Sequence, residues 1–467
     1  MRTLERYSYI LALLAFFLTS VLLRPLLPID ETRYMTVAWE MFNTKNYFLL
    51  SLNYEPYHHK PPMMFWLINF CWLIFGASRW SALIPVYGAS AATLVLTGLL
   101  ARKLYPNNQK IREHASWVLF GTAPFLIYAS LVMFDMMLTA VNLAAFLLAL
   151  SYCEKPEFKK TLLLGLFLGI GVLVKGPVVF LYTLLPLSLY PWWRSQNHRA
   201  EPKQLYKALS LALCFSILPV SLWLAPALLQ ADSHFAYWLV WEQTAGRMKG
   251  DFSSSHVRPF YFYLPLLPVL FMPWAFFPAF WKNVKKLAPQ DPSFRFLLAA
   301  TIPVLLFFSL IAGKQPHYLV PLMPFIGVGL SKVMSYSLDI RTIRITSICV
   351  LSALILFQLI GHYSFFRNYD LEPIVAYYQG NRDKQFVMVH KYQGEIGFLA
   401  RMTEHVDNIE QKELRTWFDK NPDGLAIIRR HENEKFSGLT EVFAMPYRSR
   451  ILSVYRLEQL EKPANDS

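Results

Sequence analysis

The sequence predicts an all-α polytopic membrane protein followed by a small α/β domain outside the membrane. Of its 467 residues, 55% are hydrophobic and only 16% charged, a balance that departs from soluble globular proteins. Eleven apolar segments approach the length that crosses a bilayer as a helix. The last hundred residues return to an ordinary charged composition with short strand-like and helix-like runs. These three observations give the fold class.

The eleven apolar segments define a predicted transmembrane domain over 1–362, with large outer loops at 24–79 and 230–258. Several contain Pro or Gly, which membrane helices tolerate when neighbouring groups satisfy the freed backbone. The predicted spans are 7–23, 80–101, 115–131, 136–153, 161–174, 177–193, 208–229, 260–281, 296–312, 318–331 and 345–362. A further apolar stretch, 61–76, is short for a crossing. We interpret it as an interfacial helix, which keeps the total at eleven.

The distribution of positive charge predicts the orientation. Alternate loops, beginning with the N-terminus, carry 20 Lys and Arg, whereas the longer loops on the other side carry 10. Basic residues concentrate on the cytoplasmic side of membrane proteins. The sequence therefore predicts a multi-pass membrane protein with a cytoplasmic N-terminus and a tail on the opposite side of the membrane. The net charge of +14 follows from this topology, so it does not indicate a nucleic-acid partner.

Two outer regions have predictable structure. Apolar residues recur at helical spacing after Asp30-Glu31, with Arg33, Thr36 and Glu40 on the other face, which predicts an amphipathic helix in the membrane interface. In the tail, 363–467, the pattern predicts an α/β domain. Its strand-like runs are Gln385–His390, Leu425–Arg430 and Ile451–Leu457, and its helix-like runs are Leu371–Tyr378 and Glu410–Lys420.

The residues suited to chemistry all fall on the predicted outer side. They are Asp30 and Glu31 after the first span, Lys60 before Pro61-Pro62, Asp135 and Lys175 in short turns, and Lys314, His317 and Tyr318 in GKQPHYLVP. Lysines supply point charges for a phosphate, and a carboxylate can act as a base, bind a metal ion or bind sugar hydroxyls. Together they favour a substrate with an anionic head group and a lipid body.

Each residue also has a structural interpretation. Asp30 could cap the interfacial helix, and Lys60 could reach along that surface to water. Asp135 could sit in a plain polar turn, and Lys175 before Gly-Pro could only separate two spans. His58 and His59 could bind a metal ion, but we expect adjacent histidines on a loop to point apart.

Six segments in order resemble the GT-C glycosyltransferases of the protein O-mannosyltransferase type, family 39. Within that family they are most similar to the bacterial branch that includes the lipid A aminoarabinose transferases. The segments are PIDETRYMTVAWEMF, HHKPPMMFWL, FDMMLT, LVKGPV, HVRPFYFYLP and GKQPHYLVPLMP, and they extend from residue 28 to about 324. In place of the acidic residue expected before the lysine of the KPP motif stands His59, so a divalent metal ion as cofactor stays open.

The resemblance implies a GT-C fold and an inverting transfer of sugar from undecaprenyl phosphate to lipid A or another envelope glycolipid. It implies that Asp30 and Asp135 are catalytic and that Lys60 holds the donor phosphate. The remaining implied roles are carrier binding by Lys175, Lys314, His317 and Tyr318, and lining of the cavity by Glu31, Arg33, Tyr34, His59 and Arg258.

Three other functions stay open on the sequence alone. A protein O-glycosyltransferase would share the fold and the donor. A lipid or ion transporter would also keep charges in a membrane, but transporters tend to have repeated halves and mid-membrane sites. A non-catalytic envelope scaffold would not need acidic and basic groups on one face of the membrane.

Overall fold

The computed structural model describes residues 8–231, 237, 257–389 and 391–458. Each of the eleven apolar segments predicted to cross the membrane contains helix. Within the described residues, six helices are long and apolar enough to span a bilayer. These are Arg79–Leu104, Phe134–Glu154, Pro202–Gln230, Pro292–Leu310, Pro316–Ser335 (whose first turns are 3-10) and Ile340–Tyr363.

The other predicted spans are shorter or interrupted helices. Uninterrupted ones are Ser8–Leu23 and Phe158–Lys175, while the segment at 115–131 is divided into Gln109–Phe120 and Ala123–Ala129. Proline explains the breaks elsewhere, because it cannot donate a backbone hydrogen bond within a helix. The segment at 177–193 is divided into Val178–Ser188 and Tyr190–Trp193. The segment at 260–281 is divided into Phe260–Leu266, Leu267–Leu270, Trp274–Phe276 and Pro278–Val284. The segment predicted to be interfacial is a helix, Met63–Phe75.

The chain divides into two compact units. The first, called here the membrane unit, contains Met1–Leu22, Tyr47–Leu49 and His58–Phe357. The second, called the tail unit, contains Leu23–Asn46, Leu50–Tyr57 and Gln358–Ser467. Part of the first outer loop thus groups with the C-terminal tail. The predicted domain boundary at 362/363 stays a prediction, and most of the second large loop, 230–258, lies outside the described residues.

In the membrane unit, two glycines allow the helix Phe158–Lys175 to pack closely against its neighbour. Phe158–Lys175 packs along Pro202–Gln230 through Gly165 and Gly169. A Cβ at Gly165 would lie 2.5 Å from the carbonyl oxygen of Ala212, so only glycine allows this approach. Small residues are the usual means by which membrane helices come this close. This packing holds the helix that ends at Lys175.

The tail unit combines three elements: the helix Asp30–Thr44, a two-stranded hairpin and a five-stranded sheet with its helices. The hairpin pairs Ser51–Leu52 with Glu55–Pro56. Across the sheet the strands are Asp407–Ile409, Phe386–Val389, Leu425–Arg430, Arg450–Leu457 and Leu439–Tyr447, parallel over the first three and antiparallel thereafter. The helical elements are Phe365–Tyr369, Glu372–Gly380, Gln411–Glu413 and Leu414–Lys420.

The α/β character predicted for the tail is confirmed, with two strands missed, Asp407–Ile409 and Leu439–Tyr447. One prediction for the first loop was wrong. The face of Asp30–Thr44 that carries Thr36 and Glu40 was expected to be polar and exposed, yet these side chains are only 1% and 2% exposed. Thr36 contacts the tail, and Glu40 holds the hairpin.

Candidate active site

A buried ion pair lies at the centre of the candidate site in the membrane unit. Asp135 is in the first turn of Phe134–Glu154, and Lys175 is the last residue of Phe158–Lys175. The Lys175 ammonium donates a hydrogen bond to the Asp135 carboxylate, and the two side chains are 10% and 2% exposed. The structure thus brings together two residues that are forty positions apart. An ionised pair removed from water is seldom kept for stability alone.

Three more of the predicted residues surround this pair. The Lys175 ammonium lies 5.3 Å from the centre of the Tyr318 ring. Lys60 and His317 are within electrostatic range of the Asp135 carboxylate, and the Lys60 ammonium lies 5.8 Å from the ring centre of Phe134. One carboxylate therefore has two lysines and a histidine near it. That excess of cationic groups suits the binding of a phosphate.

Buried tyrosines that the sequence did not single out support this cluster. The hydroxyl of Tyr182 donates to the backbone carbonyl of Tyr318 at 2.6 Å, and Tyr263 donates to the carbonyl of Gln315 at 3.1 Å. These bonds tie the GKQPHYLVP turn to neighbouring helices. In the sequence, each is a tyrosine within an apolar run. Such tyrosines are ordinary in membrane helices, so neither was identified.

Lys314 and Arg258 form a separate contact. Lys314 is buried, and its ammonium donates to the backbone carbonyls of Arg258, at 2.9 Å, and of Ile311. The Arg258 backbone N–H donates to the Ala312 carbonyl at 3.2 Å. Lys314 thus joins two chain segments, which is a structural role. Its binding of phosphate stays a prediction.

In the tail unit, Asp30 begins its helix with a half-exposed side chain. Arg33 lies 3.9 Å away, one turn along, and the Tyr34 hydroxyl is 3.4 Å from the same carboxylate oxygen. Asp30 is the N1 residue of the helix and not its cap, and no side-chain capping bond is formed at Ile29. The accessible carboxylate is therefore available to a substrate.

Glu31 has a different environment from Asp30. It is 2% exposed, forms a buried salt bridge with Arg24 and accepts a hydrogen bond from the Leu27 backbone at 2.9 Å. Sequence reasoning had placed Glu31 in the cavity lining and had not considered Arg24. The pair closes the turn between the first apolar helix and Asp30–Thr44, so a structural role explains both residues.

The rings of the two adjacent histidines lie close together and are tilted relative to each other. The ring centres of His58 and His59 are 4.2 Å apart at 35°, so the expectation that they point apart was wrong. Across the described ranges, no group of three or more His, Cys, Asp or Glu side chains is arranged to hold a metal ion.

Parts of this chain are similar in sequence to known proteins. A sequence profile for the family described as dolichyl-phosphate-mannose-protein mannosyltransferase matches residues 59–223. The undecaprenyl phosphate-alpha-4-amino-4-deoxy-L-arabinose arabinosyl transferase of Pseudomonas savastanoi pv. phaseolicola is 28% identical over 66% of this chain and 58% of its own length. A second such enzyme, from Proteus mirabilis, is 25% identical over 79% of this chain and 67% of its own. This chain thus spans less than two thirds of the first relative.

Among solved structures, the fold matches ArnT from Cupriavidus metallidurans bound to undecaprenyl phosphate. The TM-score is 0.76 at 16% identity, over 97% of this chain and 98% of that one. The apo form of the same protein matches with a TM-score of 0.74. At this identity the match establishes the fold. The resemblance predicted from the sequence is therefore confirmed: this chain is a membrane protein with the fold of ArnT, and it is similar in sequence to the bacterial undecaprenyl phosphate-alpha-4-amino-4-deoxy-L-arabinose arabinosyl transferases.

Proposed function

We propose that this chain is an inverting glycosyltransferase that uses a sugar linked to undecaprenyl phosphate. The observation that carries the proposal is the buried Asp135–Lys175 pair with Lys60 and His317 around it. A group of cations in a low-dielectric site stabilises the negative charge that develops on a phosphate leaving group. The relatives' name supplies the donor class, since it specifies undecaprenyl phosphate and an amino sugar.

In the proposed reaction, an acceptor oxygen attacks the anomeric carbon from the face opposite the phosphate. The bond from that carbon to the phosphate oxygen breaks, and undecaprenyl phosphate leaves with the electron pair. Lys175, held in place by Asp135, and Lys60 would stabilise this phosphate. Asp30 would accept the proton of an acceptor hydroxyl. If the acceptor is a phosphate that is already ionised, Asp30 would instead orient it.

We propose lipid A as the acceptor and aminoarabinose as the sugar, because the named relatives transfer that sugar. The family profile favours a second candidate, transfer to protein, since it is named for a protein mannosyltransferase. Mass spectrometry separates the two. Loss of an aminopentose from lipid A on deletion of the gene would support the first, and loss of hexose from envelope proteins would support the second.

The proposed location is the bacterial inner membrane, with eleven crossings, a cytoplasmic N-terminus and the tail in the periplasm. The charge distribution supports this orientation, and the helices found in all eleven apolar segments support the number. Donor and acceptor would then meet the enzyme on the periplasmic side, where no soluble nucleotide sugar is needed.

Replacing Asp30 with Asn tests the proposed role of this carboxylate. We expect Asp30→Asn to lower transfer in isolated membranes by about a hundredfold or more if the acceptor is a hydroxyl, within the usual range for a general base. Transfer would be measured with undecaprenyl-linked sugar and purified acceptor. Asp419→Asn, an exposed position in the helix Leu414–Lys420, is the matched control. Transfer at the control level by Asp30→Asn would contradict a catalytic role for Asp30.

A further inference from the structure

The tail unit contains a cavity that the proposed transfer chemistry does not use. Its volume is about 520 Å³, including the part of its mouth that is open to solvent. Apolar side chains from the start of Glu372–Gly380 and from three strands line it: Leu371, Ile374, Met388, Ile427 and Leu452.

The lining of the cavity also includes charged residues. Lys391, Glu395 and Arg429 all border the cavity. The Glu395 carboxylate interacts electrostatically with Arg429 and with Arg33, and accepts a hydrogen bond from the Gln393 backbone at 2.7 Å. Burial raises the pKa of Glu395 despite these cations. A few convergent polar groups on an apolar wall are typical of sites that orient a small ligand.

Tyr447 provides the independent sign of a ligand. It lines the cavity and is only 2% exposed, yet its hydroxyl has no hydrogen-bond partner among the described residues. Buried hydroxyls are normally hydrogen-bonded, because a buried hydroxyl without a partner loses its hydrogen bonds to water and gains none in return. Two other tyrosines of the unit show such pairing: the hydroxyl of Tyr455 donates to Glu441 at 3.1 Å, and that of Tyr392 to the sulfur of Met402 at 3.7 Å.

We propose that this cavity binds a sugar that carries a phosphate group. The rings of Tyr392 and Tyr447 and the aliphatic floor would pack against the C–H face of the sugar. Arg429 and Lys391 would pair with the phosphate, as a planar guanidinium and an ammonium do. The Tyr447 hydroxyl would bond a ring substituent, and Glu395 would accept from a hydroxyl or an amine. If the proposed function holds, the phosphorylated glucosamine of a glycolipid acceptor has this chemistry.

Direct binding to the full-length protein in nanodiscs tests the assignment, with glucosamine 1-phosphate as the probe. We expect saturable binding that Tyr447→Phe and Arg429→Gln each weaken about tenfold, the usual effect of losing one buried hydrogen bond. Tyr377→Phe and Arg456→Gln are the matched controls, because both residues lie in the same unit outside the cavity. Affinities of the cavity variants equal to those of the controls would overturn the proposal.

Two further arms separate this proposal from the transfer reaction and identify the source of the sugar. Binding that depends on Tyr447, in a preparation without transfer activity, would support the cavity and contradict the proposed function. Active transfer together with binding insensitive to Tyr447 would do the reverse. Lipid A included in the nanodisc should compete with the probe if the ligand is a glycolipid head group. If it does not compete while binding still depends on Tyr447, the cavity takes a free sugar phosphate.

Discussion

Asp135 and Lys175 depend on each other because both are buried. Replacing one leaves the other as an uncompensated charge, which typically destabilises a protein by about 3–5 kcal/mol. We therefore expect Asp135→Asn and Lys175→Met each to lower the thermal midpoint in detergent, and the double variant to recover much of the loss. Transfer activity should not recover in the double variant, because the phosphate has still lost its cation.

Additive losses of stability in this cycle would contradict the pairing. The exposed pair Arg194 and Glu201, with 2.6 Å between guanidinium and carboxylate, offers a control. Exposed ion pairs contribute little, so Arg194→Gln and Glu201→Gln should change the midpoint only slightly, alone or together.

Individual residues could be predicted from the sequence where they break a local rule. Asp135 and Lys175 are ionised groups beside apolar runs, so each was identified. Their contact was not, because helical spacing says nothing about two positions on different helices. Tyr447 gave no signal at all: a tyrosine near the end of a strand is ordinary, and only the packed domain shows that its hydroxyl has no partner. Arg24 was overlooked since its partner, Glu31, was assigned to the cavity.

Among the elements, the helix Asp30–Thr44 is held by the tail through Thr36. The Thr36 hydroxyl donates to the Gly394 carbonyl at 2.7 Å and accepts from the Phe398 backbone at 2.9 Å. The fit is close: a Cβ at Gly397 would lie 2.5 Å from the Thr36 methyl carbon. Since the same helix begins at Asp30, the tail fixes where that carboxylate is presented.

We expect Gly397→Ala to destabilise the tail unit by about 1–3 kcal/mol, the usual effect of overpacking a buried contact, and to lower transfer. Adding Thr36→Ser, which removes the clashing methyl, should restore part of both. Gly380→Ala is the control, because no atom lies within 4 Å of its added Cβ. Thermal unfolding, followed by the fluorescence of the tail unit, would measure the change in stability. The transfer assay would measure the change in activity. If Gly397→Ala behaves like the control, Thr36 does not hold the helix.

The elements that were predicted well have a strong local pattern. The strand Leu425–Arg430 begins with four consecutive apolar residues and was predicted with the observed bounds. The strand Leu439–Tyr447 was missed since it lies at the edge of the sheet, contains Pro446 and changes register between Glu441 and Phe443. For Asp30–Thr44, periodicity identified the helix and its two faces. It could not show that the tail, more than three hundred residues later, buries the face with Thr36.

For the molecule as a whole, the orientation depends on whether 61–76 crosses the membrane. The structure makes most of this stretch a 13-residue helix, Met63–Phe75, about 20 Å long at 1.5 Å per residue. The hydrocarbon core is about 30 Å thick, so this helix is too short to cross it upright. If it lies in the interface, the basic stretch 102–112 is cytoplasmic and the tail is periplasmic. If it crossed, the helix Asp30–Thr44 and the tail would lie on opposite sides of the membrane, which their hydrogen bonds through Thr36 rule out.

Labelling of single cysteines tests this topology against the inverted one. In a variant without Cys71, Cys153, Cys214 and Cys349, we would introduce Asn107→Cys or Ser437→Cys, both at exposed positions. A membrane-impermeant maleimide added to intact spheroplasts should label Ser437→Cys and leave Asn107→Cys unlabelled until the membrane is opened. The reagent cannot cross the membrane, so it reaches only thiols on the periplasmic side of a spheroplast. Once the membrane is opened, it reaches both exposed positions. Labelling of Asn107→Cys alone would show that the orientation is inverted, with the first loop and the tail in the cytoplasm. A periplasmic sugar-transfer site would then be ruled out.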